Sequence, residues 1–198
     1  MENNKLAKKI DENRADAEKI LLEVINSGDE EAYEAKFALL QIYGTGELVI
    51  KEKGAISIPG FPDMEKFNAF VRENIEDETD VRNMVYSLYY EFVYHNMGER
   101  AIMDEKVMET ALCAVECPED DEWAENGLAK TILFAFYYDG VYKSDDSFCD
   151  INFPSLKDQG KAKELIRYEA VKNIELNPRL LELYEAREEE CEIEDLFD

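Results

Sequence analysis

The stretch AKFALLQIYGTG, at Ala35–Gly46, recurs as AKTILFAFYYDG at Ala129–Gly140. Both copies follow the spacing Ala-x3-Leu-x3-Tyr-x2-Gly, and they begin 94 positions apart, which is roughly twice a period in the forties. The small alanine permits helices to approach closely, the leucine fills the interface, the tyrosine packs at the helix end, and the glycine permits the turn. The recurrence therefore predicts a repeated helical unit.

A middle copy is expected between these two. Tyr86-x3-Tyr90-x3-Tyr94, followed shortly by Gly98, has the spacing but has no small residue at its first position. Each copy is followed by a loop and a second helix of apolar and charged residues. These second helices are predicted at 63–75, 103–115 and 160–173, and the third contains KAKELIRYEA.

The Ala-Leu-Tyr-Gly pattern, together with the KA…Y..A helix after it, resembles the Sel-one-like repeat, a relative of the tetratricopeptide repeat. The similarity covers about Glu31 to Asn173, with a long interruption in the first copy and a degenerate second copy. The resemblance implies right-handed superhelices of helix pairs that scaffold protein complexes, and it implies no shared catalytic residue.

Composition supports a helical fold. Nine glycines and five prolines interrupt a chain of 198 residues that is rich in strong helix formers. We predict an all-α fold, in which antiparallel helix pairs stack as a short solenoid within a single domain spanning 1–198. Its parts are an N-terminal capping helix at 1–28, about three helix pairs at 29–175, and a C-terminal helix with an acidic tail at 176–198.

The pattern of apolar residues, caps and breakers sets the expected elements. The second helix, which begins after a possible cap at Asp29, carries Tyr33 and Phe37 and is apolar over a wide arc, as an inner helix should be. Gly44 to Pro62 is interpreted as a long loop, in which 48–50 and 56–58 could pair as a small hairpin. The other helices are expected at about 4–26, 63–75 (capped by Asp63), 80–97, 100–116, 120–138, 157–173 and 178–190, with a polar loop at 143–155.

The charge balance restricts the class of partner. The chain has 47 acidic and 22 basic residues, for a formal net charge of −25. Such a charge repels phosphate backbones, so direct binding to nucleic acid is not expected, whereas a basic protein partner is. The acidity could equally serve only solubility. The sequence leaves the oligomeric state open.

A cytoplasmic location is expected. The N-terminal segment is charged rather than apolar, unlike a secretory signal peptide, and no stretch has the length of a membrane span, so no membrane association is predicted. The four cysteines form no CxxC pair. Cys113 and Cys117 would share one helix face, where we predict buried, reduced thiols.

Motifs for catalysis are absent from the sequence. The single histidine, His95, has no evident partners for a Cys-His or Ser-His-Asp arrangement, and an enzyme that uses it with nearby carboxylates is the least favoured hypothesis. The cysteine spacings match no zinc pattern, and Asp145, Asp146 and Asp150 do not have the spacing of a helix-loop-helix calcium site. No catalytic residue, metal or cofactor is predicted.

Aromatic and acidic clusters are the candidate binding residues. Aromatic side chains crowd two helices over more than one face, so some could line a concave groove while others form the core. Acidic residues cluster at two helix junctions, 73–80 and 116–125, where they could form one negative edge. The residues that we select are Tyr86, Tyr90, Tyr94, Tyr137, Tyr138, Glu119, Asp120, Asp121 and Glu122.

Two hypotheses follow for function. In the first, the protein is a non-enzymatic interaction module, and more specifically an immunity or inhibitor protein that neutralises a basic toxin or nuclease. In the second, it is a regulatory adaptor that holds a peptide or helix in an aromatic groove. Salt dependence of binding distinguishes them, because charge mimicry requires it and tyrosine anchoring does not.

Overall fold

The computed structural model describes residues 4–28, 30–50, 53–76, 78–93, 105–115, 125–143 and 150–172. Most of these residues are helical, which confirms the coarse prediction of a helical protein. The chain divides into two compact units, Met1–Ala114 and Val115–Asp198, and the boundary falls inside the predicted array of helix pairs.

The first unit contains six helices and one hairpin among the described residues. Most of its largest buried side chains come from the third helix, the hairpin and the helices that follow. The elements are α1 (Asn4–Glu12), α2 (Ala17–Ser27), α3 (Glu31–Thr45), β1 (Glu47–Ile50), β2 (Gly54–Ser57), α4 (Met64–Asn74), α5 (Glu78–Val93) and α6 (Glu105–Ala114).

The N-terminal segment forms two helices, so the prediction of one helix over 4–26 is wrong. Asn13 leaves the helical conformation, with φ −133° and ψ 51°, and its side-chain Nδ2 donates a hydrogen bond to the Lys9 carbonyl at 2.9 Å. An asparagine side chain that bonds nearby backbone in this way competes with the helix. A short 3-10 turn at Arg14–Asp16 then leads into α2.

Helix α3 is the centre of the first unit. It contacts α2, α4 and α5, while α6 contacts both α4 and α5. Gly44 marks the closest approach, because a Cβ atom built there would lie 2.8 Å from side-chain atoms of both Phe67 on α4 and Val107 on α6. Only glycine fits this crossing without displacing buried side chains.

Helices α3 and α5 run in the same direction. The Tyr33 hydroxyl accepts a hydrogen bond from Asn83 Nδ2, and further along both helices Gln41 Nε2 donates to the Ser87 carbonyl at 3.1 Å. On each helix, the second contact lies C-terminal to the first, which is the order expected for parallel helices.

The hairpin after α3 confirms that the two apolar segments in the predicted loop pair. Strands β1 and β2 are antiparallel, with Leu48 opposite Ile56, and both of these side chains are buried. Gly46 ends α3 with φ 74°, and the Ile58 N–H donates to its carbonyl at 2.8 Å. The segment is thus an ordered part of the core rather than an open loop.

A second backbone bond fixes the start of α4. The Asp63 N–H donates to the Tyr43 carbonyl at 2.8 Å, and the Asp63 carboxylate accepts from the N–H groups of Glu65 and Lys66, each at 3.1 Å. Asp63 is therefore the N-cap that the sequence predicts. The helix-end glycine and this cap together hold α3 and α4 as an antiparallel pair.

The second unit repeats this arrangement on a shorter hairpin. Gly140 ends its first helix with φ 73°, Phe153 N–H donates to the Gly140 carbonyl at 2.8 Å, and Asp158 N–H donates to the Tyr137 carbonyl at 2.8 Å. Asp158 also caps the next helix. The elements are α7 (Glu125–Asp139), β3 (Val141–Tyr142), β4 (Ile151–Asn152), a 3-10 turn (Pro154–Leu156) and α8 (Gln159–Lys172).

Two details of the predicted pattern are corrected. The polar loop at 143–155 contains β4 and the 3-10 turn, because Ile151, Phe153 and Leu156 are buried. On α5, Tyr86 is half-exposed, whereas Ala35 and Ala129 are buried, so Tyr86 does not occupy the equivalent core position. The Asp29 cap, the Gly98 turn, the helix expected at 178–190 and the acidic tail lie outside the described residues.

Two glycines separate the effect of backbone conformation from that of crowding. Gly28 and Gly46 both end helices with φ near 70°, but a Cβ meets nothing within 4 Å at Gly28 and lies 2.8 Å from the Phe61 carbonyl oxygen at Gly46. We expect Gly28→Ala to lower the free energy of unfolding by about 1–2 kcal/mol through the left-handed conformation alone. For Gly46→Ala we expect a further ~1–3 kcal/mol from overpacking. Urea denaturation measures both, and equal losses would contradict the described contact.

Candidate protein-binding surface

The predicted binding residues fall in both units and partly outside the described chain. Tyr86 and Tyr90 lie on α5, where Tyr86 is half-exposed. On α7, the Tyr137 side chain is buried, and the Lys161 Nζ lies 5.2 Å from its ring centroid. The neighbouring Tyr138 is half-exposed and stacks on Phe134. Tyr94, His95, Cys117, Glu119, Asp120, Asp121 and Glu122 lie outside the described residues, as does the Tyr90 side chain.

Tyr33 is an exposed aromatic residue on a helix that the sequence predicts to be an inner one. In the structure, 48% of its surface is exposed. Its ring packs edge-on against Phe37, with 5.0 Å between the centroids, and its hydroxyl accepts a hydrogen bond from Asn83. The sequence does indicate this exposure through the helical phase. Tyr33 precedes Ala35 by two residues, so it lies on a different face of the helix from the Ala35–Leu39–Tyr43 stripe.

Tyr33 and Tyr86 belong to one surface. Asn83, which bonds to Tyr33, lies one helical turn before Tyr86 on α5, so the two side chains are neighbours on the same helix face. We call Tyr33, Asn83 and Tyr86 the α3–α5 tyrosine surface. It spans two adjacent helices and offers exposed aromatic area whose position is fixed by a hydrogen bond.

Several acidic residues lie close in sequence to the residues of this surface, on the same two helices or at their ends. Glu30 is exposed at the start of α3, and Glu31 and Glu34 flank Tyr33 and are partly exposed. On α5, Asp80 lies one turn before Asn83, and its carboxylate accepts a hydrogen bond from the Glu76 N–H at 3.2 Å. Part of the predicted acidic junction at 73–80 is thus on the helix that carries Tyr86.

A polar cluster joins α2, α3 and α4. The Tyr43 hydroxyl and the Lys66 ammonium each donate to Glu18 Oε1 at 2.7 Å. Lys66 Nζ also lies 5.9 Å from the Tyr43 ring centroid and 5.5 Å from that of Phe61. The cluster holds three helices together.

The protonation of this cluster suits a structural role. Burial, followed by the hydrogen bond to Glu18, raises the pKa of the Tyr43 hydroxyl well above its usual value, so the hydroxyl stays protonated and donates. Burial alone would raise the pKa of the Glu18 carboxyl, but the bonds from Lys66 and Tyr43 outweigh it and lower that pKa. Neither group is tuned to exchange protons near neutral pH.

Neither a metal-binding cluster nor a membrane-spanning helix is found among the described residues. In that part of the chain, no group of three or more His, Cys, Asp and Glu side chains is placed to hold a metal ion. None of the described helices is both long and apolar enough to cross a membrane.

Cys113 is exposed on α6, so the prediction of a buried thiol at that position is wrong.

No protein-family model, no curated protein and no solved structure matches this chain. The resemblance to the Sel-one-like repeat therefore stays a prediction from the Ala-Leu-Tyr-Gly copies.

The Glu18 cluster gives a prediction for stability. Because the folded-state pKa of Glu18 is lowered, its contribution to stability is present above the unfolded pKa of this carboxyl and is lost as the pH falls through the folded-state pKa. Tyr43→Phe removes one of the bonds responsible, so we expect the free energy of unfolding to fall by about 1–2 kcal/mol at pH 7. Urea denaturation at pH 7 and at lower pH should show the difference from wild type shrinking on acidification. A difference that stays constant with pH would contradict the assigned bond.

Proposed function

We propose that this protein is a non-enzymatic protein-binding module that captures a basic partner on its α3–α5 tyrosine surface. The observation that carries the proposal is the exposed Tyr33, which is held by Asn83 beside Tyr86 on two adjacent helices. In this proposal the protein works in the cytoplasm and binds another protein rather than nucleic acid or membrane.

The packing of the first unit supports a short solenoid. Helices α3 and α5, which each begin a helix pair, pack on one another, and the second helices α4 and α6 do the same. In stacked helix pairs, equivalent helices line up to form extended binding surfaces. Tyr33 and Tyr86 would then lie on the surface formed by the first helices of successive pairs.

The chemistry of the surface supports protein recognition. Tyrosine provides a large, rigid contact area with a polar tip, and it is enriched among the residues that dominate binding energy. The Asn83 bond restrains the Tyr33 hydroxyl before any partner arrives, which reduces the entropy lost on binding. An exposed aromatic held in this way is better suited to an interface than to the core.

The charge of the chain supports a basic partner. A net charge of −25 raises the association rate of a positively charged protein and disfavours acidic competitors. A nuclease or another toxin that binds nucleic acid has a basic surface. The sharper form of the proposal is therefore an immunity or inhibitor protein, which covers such a surface in place of nucleic acid.

A regulatory adaptor is the second candidate, and the same Tyr33 favours it. In this case a peptide or helix is anchored mainly by the tyrosines, and its affinity depends little on ionic strength. The inhibitor instead loses affinity steeply with added salt, because ionic contacts between exposed groups are screened. One salt series on the captured partner separates the two.

The test uses the full chain as bait for capture from the native host. We expect Tyr33→Ala to weaken binding of the captured partner by about tenfold or more, the effect typical of an anchor residue. Tyr33→Phe keeps the ring and loses only the Asn83 bond, so its effect should be smaller. Titration calorimetry measures each affinity.

Met64→Ala is the matched control, since Met64 is also a large, exposed apolar residue but lies on α4. It should bind like wild type, and thermal unfolding must show that the Tyr33 variants remain folded. If Tyr33→Ala and Met64→Ala bind equally well, the α3–α5 tyrosine surface is not the binding site. A captured partner that is acidic would exclude the inhibitor form.

A further inference from the structure

The β1–β2 hairpin has one open edge. Its outer strand is β2, because β1 packs on α3. The turn between the strands is held separately, by an ion pair between the Lys53 ammonium and Asp11. Ala55 and Ser57 on β2 are exposed, whereas Ile56 between them is buried. The inner face of β2 is thus in the core, and its outer residues face solvent.

The register shows which backbone groups point outward. Ile58 N–H bonds to the Gly46 carbonyl, and hydrogen-bonded pairs alternate along an antiparallel ladder. Ile56 and Gly54 therefore use their N–H and C=O groups toward β1, while Ala55 and Ser57 direct theirs away from it. Within the described part of the chain, these outward groups have no hydrogen-bond partner.

At the opposite edge of the hairpin, the outward backbone groups of Glu47 are bonded within the chain. On β1, the Glu47 N–H donates to the Thr45 hydroxyl at 3.1 Å, and that hydroxyl contacts the Glu47 carbonyl at 3.3 Å. In the second unit, the outer residue Asn152 folds its side chain back to the Asp150 carbonyl. Ala55 and Ser57 have small side chains that block nothing. Exposed edges without charges or prolines are sites where another strand adds.

We propose that β2 accepts an extended, basic segment of a partner protein as a third strand, through the backbone of Ala55 and Ser57. A second copy of this chain would bring two charges of −25 together, so self-pairing through this edge is opposed. A positively charged segment is attracted by the same charge. The backbone groups of Ala55 and Ser57 supply the hydrogen bonds to the added strand, and the negative charge of the protein favours a basic strand over an acidic one. This site is separate from the α3–α5 tyrosine surface and does not rest on it.

The test uses a blocked heptapeptide of alternating lysine and valine as probe, with the glutamate–valine analogue as its control. Hydrogen exchange of the wild-type protein is followed residue by residue. At saturating lysine peptide, we expect exchange of the Ala55 and Ser57 amides to slow by about tenfold or more, because these N–H groups become bonded. The Ile56 amide, already bonded within the hairpin, should change little. The glutamate peptide should leave all three unchanged.

Variants and a modified probe complete the test. Ser57→Pro removes an outward donor without breaking the β1–β2 ladder, and we expect it to weaken peptide binding about tenfold, the loss of one backbone bond. Ser57→Ala keeps the donor and should bind like wild type. A lysine peptide N-methylated at its three central nitrogens should not bind to wild type, whatever its register.

Three outcomes would overturn the proposal. The first is lysine-peptide binding without slower exchange at Ala55 and Ser57, which would place the peptide elsewhere on the acidic surface. The second is full binding by the N-methylated peptide. The third is a wild-type dimer in sedimentation analysis that Ser57→Pro dissociates, which would make a second copy the occupant.

Discussion

Helix α3 leaves its last turn through a left-handed glycine, and the positions of its neighbours follow from that one residue. Gly46 turns the chain so that its own carbonyl bonds to Ile58 and the Tyr43 carbonyl bonds to Asp63. The first bond closes the hairpin, and the second begins α4 at its cap. With a side chain at this position, the backbone of Phe61 could not approach. The same constraint acts at Gly140, where the Cβ would lie 2.9 Å from the Pro154 Cα.

The sequence revealed this constraint because it is local. The spacing from Ala35 to Gly46 indicates which face of the helix packs on its neighbours and where the helix ends. The second copy of the pattern has equivalent backbone bonds around Gly140 and Asp158. The Asp63 cap was readable for the same reason. The break at Asn13 is not visible in the apolar pattern, because the phase of Leu6, Ala7 and Ile10 continues to favour helix, and the bond from the Asn13 side chain to the Lys9 carbonyl accompanies the break.

The candidate surface was less accessible to prediction. An excess of tyrosines indicates that some are exposed, but which ones depends on where neighbouring helices lie. Tyr137 is buried beneath Lys161, whereas Tyr33 is exposed and accepts a hydrogen bond from Asn83, fifty residues further along the chain. Phase alone places Tyr33 off the core stripe, while its pairing with α5 is a tertiary contact with no local signal. The β2 edge likewise follows from strand register.

The central claim is that the exposed Tyr33 of α3 and the half-exposed Tyr86 of α5 form the contact with a basic partner. Hydrogen exchange of the whole protein, alone and with its captured partner, tests it most directly, because binding shields the contacted segments. The account predicts slower exchange in segments 30–37 and 80–87, with α4 and α6 unchanged. Slower exchange confined to α4 or α6, with both tyrosine-bearing segments unaffected, would contradict it.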